Sequence, residues 1–292
     1  MKTKFKVILV VMVMLLVGVL LAIPKTTYDK WFNGNQNNND IPNVDNRPSE
    51  VVYVKNQEGK LVGLSVKVDK IEEDEILQKW NLLTTNSNLL PAGYTSAINN
   101  AATLNSYEIK NGVLELNVSE EIKLSEGRKT LETIAWTFIN GEINEVSLVV
   151  NGEKITEVNG YKISKITKKM GINLEYETSY LLESTATTIV YSLDEYMLPV
   201  TYFHLEEDIC TYIVDKTYEK FDVNDVWNYE YELNEEALVI NFIDDVKIEE
   251  DILVSLTKSI ESNFNLVKFS ITNQEENLYE AVFGEIEDVE KE

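Results

Sequence analysis

The sequence predicts an α+β fold: two tandem small α/β sandwich domains, each in the order ββαββαβ, behind an N-terminal transmembrane helix. Three observations carry this. "NSYEIKNGVLELNV" at residues 105–118 is written again 124 positions later as "YEYELNEEALVINF" at 229–242. The run "IEED" at 71–74 returns as "LEED" at 205–208, each time just ahead of a helical stripe. Residues 1–23 place three lysines before seventeen uncharged, mostly apolar residues, Val7 to Ile23. In the repeated hairpin Tyr107, Glu108 and Leu114 meet Tyr231, Glu232 and Leu238. Apolar positions meet at 109/233, 113/237, 116/240 and 118/242. A repeat of this length is a duplicated domain, too long for a solenoid unit.

The bounds agree with two domains. The chain has 292 residues, and domains average roughly 150. Hydrophobic content of 44% is ample for packed cores. The formal net charge is −24, and residues 24–292 alone hold 23 basic against 50 acidic side chains, a net of −27. Such a surface repels nucleic acid and anionic lipid, so basic or neutral partners suit it better.

The elements follow in order. Seventeen helical residues reach roughly 25 Å, near the lower limit for a bilayer. Lys2, Lys4 and Lys6 keep the N-terminus in the cytoplasm and export the rest. Phe5 on one side and Tyr28, Trp31 and Phe32 on the other suit the two interfaces. A cleaved signal peptide is the rival, but Leu20-Leu21-Ala22 is a poor cleavage site, so residues 1–32 read as an uncleaved anchor. Residues 33–50 hold seven Asn and two Pro. They bury too little to repay ordering and read as a flexible tether.

The first domain, 51–158, opens with two β-rich runs joined by "NQEGK". "IEEDEILQKWNLL" reads as a helix with acids in its first turn and Ile76, Leu77, Trp80 and Leu83 on one stripe. Strands near 104–110 and 113–118 meet at Asn111-Gly112, the strongest short hairpin signal. "SEGRKTLETIAWTFIN" carries Leu131, Ile134, Ala135 and Phe138 at helical spacing, with Ser125 as the expected N-cap and Gly141 as the stop. "EVSLVVNGEKI" closes the unit with a strand and turn. Residues 159–186 form a connector carrying Lys162, Lys165, Lys168 and Lys169. The second domain, 187–275, repeats the order: strands "TTIVYS" and "YMLPVTYF", a helix holding Ile209, Tyr212 and Ile213, the hairpin with Asn-Glu-Glu at its turn, a helix near 249–263, and a strand at 266–272. Residues 276–292 read as an acidic C-terminal tail.

These pieces resemble a known family. "KNGVLELNVSEEI" and "VVNGEKI" in particular look like the GerMN domain of GerM-type sporulation and germination proteins, and the second copy looks like a more divergent GerMN domain. The resemblance covers roughly residues 51–275. It implies a ring-building-motif-like unit, two helices on a three-stranded sheet. It also implies a non-enzymatic assembly or scaffold role on the outer face of the membrane. Many members are lipoproteins with a cysteine ending the signal sequence. Ile23-Pro24 has none, which favours a protein anchor.

The search for chemistry assigns no catalytic, cofactor or metal site. One histidine, His204, and one cysteine, Cys210, cannot build a triad or a His/Cys zinc site. His204 reads as a strand-end polar residue and Cys210 as a small buried hydrophobe. Asp244, Asp245, Glu249, Glu250 and Asp251 form the densest acidic cluster, read as a solvated loop and helix start, with weak divalent cation binding as the alternative. Glu75, Glu108, Glu115 and Glu232 read as solvent-facing. Tyr229 and Tyr231 alternate with Glu230 and Glu232, tyrosines on one face and acids on the other, with core packing the favoured use. The expected partners are other envelope or sporulation-complex proteins, basic ones among them, or further copies of this chain. Contact with the membrane runs through residues 7–23, and neither nucleic acid nor a small-molecule substrate is expected. The competing class is a peptidoglycan-acting enzyme or carbohydrate-binding module using carboxylates and aromatics.

Overall fold

Strands β1 (Ser49–Lys55) and β2 (Leu61–Lys67) form an antiparallel hairpin. Its turn is held by Asn56 Oδ1, which accepts the Glu58 and Lys60 backbone N–H groups at 3.0 and 2.9 Å. The structure is a computed structural model. It describes residues 47–72, 74–223, 228–244, 248–273 and 276–282, so the anchor 1–32, the tether up to residue 46 and the last ten residues lie outside the described residues. Among the described residues no helix is long and apolar enough to cross a membrane.

Helix α1 (Glu75–Leu83) starts at Asp74, whose carboxylate accepts the Leu77 N–H at 2.9 Å. The "IEED" acids therefore precede the helix and its last member caps it. Trp80 and Leu83 are buried as expected and Ile76 packs beside them, but Leu77 is 38% exposed while Leu82 is buried. The stripe through Ile76, Trp80 and Leu83 follows the i, i+4, i+7 spacing, which leaves Leu77 on its flank.

Strands β3 (Leu104–Lys110) and β4 (Val113–Val118) lie where the sequence places them. Asn111 and Gly112 both have positive φ, 51° and 74°, as a type I′ turn requires. A Cβ on Gly112 would stand 2.6 Å from the Asn144 side chain. Helix α2 (Arg128–Phe138) begins three residues after the expected cap. Gly127 holds the cap position, and Ser125 is instead buried, its Oγ accepting the Asn99 N–H at 2.9 Å. The serine ties down a loop that would otherwise bury a bare donor. Strand β5 (Glu145–Val150) runs parallel to β4, and an Asn151-Gly152 turn with φ of 54° and 82° leads to β6 (Glu153–Lys154). The sheet order is β3-β4-β5-β6.

β7 (Glu157–Val158) ends the first domain and pairs with β8 (Tyr161–Lys162) in the connector, which also holds β9 (Glu175–Tyr176). The second unit follows: β10 (Thr185–Leu193), β11 (Tyr196–His204), α3 (Ile209–Lys220), β12 (Tyr229–Leu233), β13 (Ala237–Phe242), α4 (Glu250–Asn263) and β14 (Lys268–Asn273). This is the same ββαββαβ order. Asp208 caps α3 as Asp74 caps α1, accepting the Thr211 N–H at 3.0 Å. The hairpin register is also the same: Ile109 faces Leu114 and Tyr107 faces Leu116, while Leu233 faces Leu238 and Tyr231 faces Ile240. Leu114 and Leu238 are both fully buried. One core gathers around Trp80, Leu114, Ile134 and Phe138, the other around Ile213, Leu238, Leu256 and Phe269, and Leu198 touches both.

One feature departs from the sequence reading and one goes beyond it. Residues 276–282, expected to begin an acidic tail, form β15 (Glu276–Val282), antiparallel to β14. Tyr279 packs on the core opposite Ile271, so the strand buries apolar surface and covers the β14 edge. The two units also do not stand apart. β11 pairs with β2 through Tyr196–Leu64 and Met197–Gly63, so both opening hairpins merge into one sheet ordered β1-β2-β11-β10, with β9 beside β11. The chain from Arg47 on is one compact unit.

Candidate functional site

The sequence-predicted residues disperse. Asp244 accepts two hydrogen bonds from Asn228, at 3.0 and 2.9 Å, and so closes a loop. Asp251 accepts the Ser192 hydroxyl at 3.0 Å, Glu249 and Glu250 start α4, and Asp245 lies outside the described residues. Among the described residues no three His, Cys, Asp or Glu side chains are placed to hold a metal ion. Cys210 is buried on α3, and burial pushes its thiol up to about 12, so it stays an unreactive thiol. Glu75, Glu108, Glu115 and Glu232 are all exposed.

The tyrosines show what the repeat preserves. Tyr231, on β12, is 36% exposed, and its hydroxyl donates to Asp208 Oδ2 at 2.9 Å. Burial and this hydrogen bond raise the phenol to about 12. Tyr107 stands at the matching place on β3, and burial together with a hydrogen bond to Asp74 raises its phenol too. In each unit, then, the outer strand's tyrosine leans on the aspartate that caps the first helix. The two short echoes in the sequence, the acidic run and the "YE" pair, touch one another in the fold. Tyr229 turns inward onto Phe242, ring centres 6.0 Å apart.

Both outer strands are open. β3 pairs only with β4 and β12 only with β13 among the described residues. Past its first residue each is exposed throughout, and each shows an aliphatic beside its tyrosine: Ile109, 45% exposed, and Leu233, 47% exposed. Unpaired N–H and C=O groups with flanking apolar side chains make a ready template for another strand.

The two units meet where β2 pairs with β11. Asn173 lies in the connector with φ of 47°. Its Oδ1 accepts the Leu61 N–H at 2.8 Å, and its Nδ2 donates to the carbonyls of Leu61 and Pro199 at 2.7 and 2.8 Å. The side chain thus continues the ladder where β2 and β11 diverge. A Cβ on Gly63 would stand 3.0 Å from the Tyr53 ring, so a side chain there would require that ring to shift. Arg128 fastens the connector to α2. It donates to Glu132 at 2.6 Å, to the Tyr161 hydroxyl at 2.8 Å and to the Met170 carbonyl.

His204 is more deeply placed than a strand end suggests. It is 2% exposed, its Nε2 is 2.8 Å from Thr187 Oγ1, and its ring stacks on Tyr212 with centres 3.5 Å apart. Burial lowers its pKa against the pull of Glu177 and Glu206, and Lys216 lowers it further. A histidine that binds its proton less readily when folded contributes stability that is lost as pH falls below the unfolded value of about 6.5. His204→Gln, which cannot titrate, is therefore expected to lose its disadvantage on acidification. The melting-temperature gap between wild type and variant should narrow from pH 7.5 to 5.5, by at most about 1.4 kcal/mol per pH unit. A gap independent of pH would contradict the neutral ring.

The comparisons with known proteins fit this geometry. A family described as "Germane: Sporulation and spore germination" matches residues 51–156. The tandem GerMN domains of the sporulation protein GerM from Bacillus subtilis superpose with a TM-score of 0.68 at 20% identity, covering 78% of this chain and 91% of that one. The first GerMN domain of the same protein matches with a TM-score of 0.38 at 23% identity, over 41% of this chain and 98% of that one. No curated protein matches the chain. Residues 51–156 are thus similar to the Germane family, and the chain has the fold of tandem GerMN domains.

Proposed function

We propose that this chain, whose first unit is similar to the Germane family, is a membrane-tethered assembly or scaffold protein on the outer face of the cell envelope, serving sporulation or germination. The observation that carries the reading is the pair of open strand edges, β3 and β12, repeated with one side-chain pattern in separate sheets of two units whose opening hairpins share a third sheet. Catalysis needs one constellation of groups in one cleft. Two equivalent edges on a stiff body suit binding at two points, where the second contact forms at high effective concentration. The sporulation setting rests on the family match and on the fold shared with a sporulation protein. The membrane tether rests on the lysine-flanked apolar run at 7–23. Strand addition gives affinity through main-chain hydrogen bonds, so the occupant is a strand of another envelope protein or of a second copy.

A photo-crosslinking amino acid tests this in intact cells. Placed at Ile109 and at Leu233, it should capture discrete protein adducts, while the same group at Leu89, 48% exposed and on neither outer strand, should not. Equal capture at all three positions, or capture only at Leu89, would defeat the edge-docking reading.

A further inference from the structure

β10 ends the shared sheet. It pairs with β11 on one side and, among the described residues, with no strand on the other. Its sequence, "TATTIVYSL", holds no charged residue, proline or glycine. Thr187, Thr188, Ile189, Val190 and Tyr191 are β-branched or aromatic in one unbroken run. Such a composition pairs readily with a copy of itself. Edge strands are usually blunted by charge, proline or a bulge. β10 has none of these, since its register with β11 runs evenly from Thr185–His204 to Leu193–Tyr196.

A helix takes their place. Asp251, Ser255, Ser259 and Asn263 recur at every fourth residue of α4 and form one stripe. Four helical residues advance about 6 Å and two strand residues about 6.7 Å, so the stripe keeps step with alternate residues of β10. Ser255 Oγ accepts the Ser192 N–H at 2.8 Å, and Ser259 Oγ accepts the Val190 N–H at 2.9 Å. Both serines are fully buried. Asn263 Oδ1 accepts the Thr188 N–H at 2.9 Å, and its Nδ2 donates to the Thr188 carbonyl at 2.6 Å. The carboxamide thus exchanges with Thr188 the two bonds that a paired antiparallel residue would make. Asp251 Oδ1 accepts the Ser192 hydroxyl at 3.0 Å. The first unit has a thinner version of this cover. Thr137 of α2 accepts the Tyr53 N–H of β1 at 3.1 Å, and the Thr95 backbone closes the edge at Lys55. β1 also carries Glu50 and Lys55 of its own.

We infer that α4 is an edge guard: its polar stripe occupies the free hydrogen-bonding groups of β10 and keeps them from β10 of a second copy. Hydroxyls and one carboxamide satisfy the edge without presenting a new row of donors and acceptors beyond themselves, so the sheet ends at the helix. A second β10 is the strand to be kept out, because an uncharged strand meets no like-charge repulsion from its own copy. The full complement of bonds falls on the strand without charges, and the thinner cover on the strand that has them. The inference goes beyond the assembly reading. It takes β10 out of assembly and leaves that role to β3 and β12.

The test uses the full chain in nonionic detergent and a blocked, fluorescent peptide of the β10 sequence. A second peptide, with proline at the places of Ile189 and Val190, cannot form the strand and is the control. The opened variants are Asn263→Ala and the double variant Ser255→Ala with Ser259→Ala. Hydrogen exchange is expected to quicken roughly tenfold or more at the amides each variant strands, Thr188 in the first and Val190 and Ser192 in the second. Both variants should bind the β10 peptide roughly tenfold more tightly than wild type, leave the proline peptide unbound, and sediment as larger species at concentrations where wild type does not. Where a variant also loses protection in α3, Ser259→Ala alone, which strands only the Val190 N–H, decides the matter by the same readings. Wild type binding the β10 peptide as tightly as the variants would overturn the inference. So would faster exchange along β10 with no gain in peptide binding or size, or unchanged exchange in every variant. Crosslinking at Ile109 and Leu233 reads other strands, so a failure here and a failure of the assembly reading are separable.

Discussion

Asn173→Ala is expected to lower the melting temperature by roughly 4–16 °C and to loosen both units at once. The substitution strands the Leu61 N–H and the carbonyls of Leu61 and Pro199 in a part-buried junction. Orphaned groups of this kind cost about 1–3 kcal/mol, and alanine at a φ of 47° adds about 1 kcal/mol of backbone strain. The total of about 2–4 kcal/mol converts at roughly 2–4 °C per kcal/mol for a body of this size. Asn173→Gly keeps the backbone at ease and removes only the hydrogen bonds, so it should fall between. Hydrogen exchange makes the test specific. Amides near Leu64 on β2 and near Met197 on β11 should exchange faster, while those of α2 and α4 stay protected. Faster exchange confined to the connector would mean that Asn173 braces a loop and does not join the units. Assembly would suffer with the seam, because two edges that can swing lose the fixed spacing that makes a two-point contact efficient.

Arg128→Ala should cost a similar amount by a different route. Its partner Glu132 is 5% exposed in its side chain, and burial raises its pKa while Arg128 holds it down. Breaking a buried pair by removing one partner costs about 3–5 kcal/mol. Arg128 is about one-third exposed, so about 3 kcal/mol is the fitting figure, or roughly 6–12 °C. The pH dependence identifies the cause. Without the guanidinium, Glu132 is left with a further raised pKa, and such a group favours the folded state at low pH and loses that contribution as pH rises through the folded value. The variant's deficit should therefore be larger at pH 8 than at pH 5, and adding Glu132→Gln to Arg128→Ala should recover part of it at pH 8. A deficit that is the same at both pH values would assign the loss to packing of the arginine stem instead.

Much of the fold was legible because it is decided within a few residues. The Asn111-Gly112 turn needs two positive φ values, and only a few residue types accept them. Asp74 and Asp208 cap helices through bonds that span three residues. Alternation fixed which face of β4 and β13 is buried, and the repeated register followed from the shared pattern. Where the reading slipped, a longer-range partner had intervened. Ser125 left the helix cap to serve Asn99, Leu77 fell to the flank of its stripe, and residues 276–282 found a core edge to cover. The functional residues were less visible. Tyr107 and Tyr231 stood out as a repeated pair, but nothing in the chain tied them to Asp74 and Asp208. Arg128, Glu132 and Asn173 carried no signal, since a single polar residue amid ordinary neighbours has no period and no motif.

Sequence by itself determined the duplication, the ββαββαβ order of each unit, the hairpin turns and the acid-led openings of α1 and α3, since each of these is an agreement between side-chain chemistry and local backbone geometry. Only the tertiary structure decided that the two units are one body. The seam between β2 and β11 is built from backbone groups that every residue possesses, joined across more than 130 positions of chain. Backbone hydrogen bonds carry no side-chain signature, and the residues that permit the seam, Gly63 and Asn173, acquire their meaning only once both strands are in place.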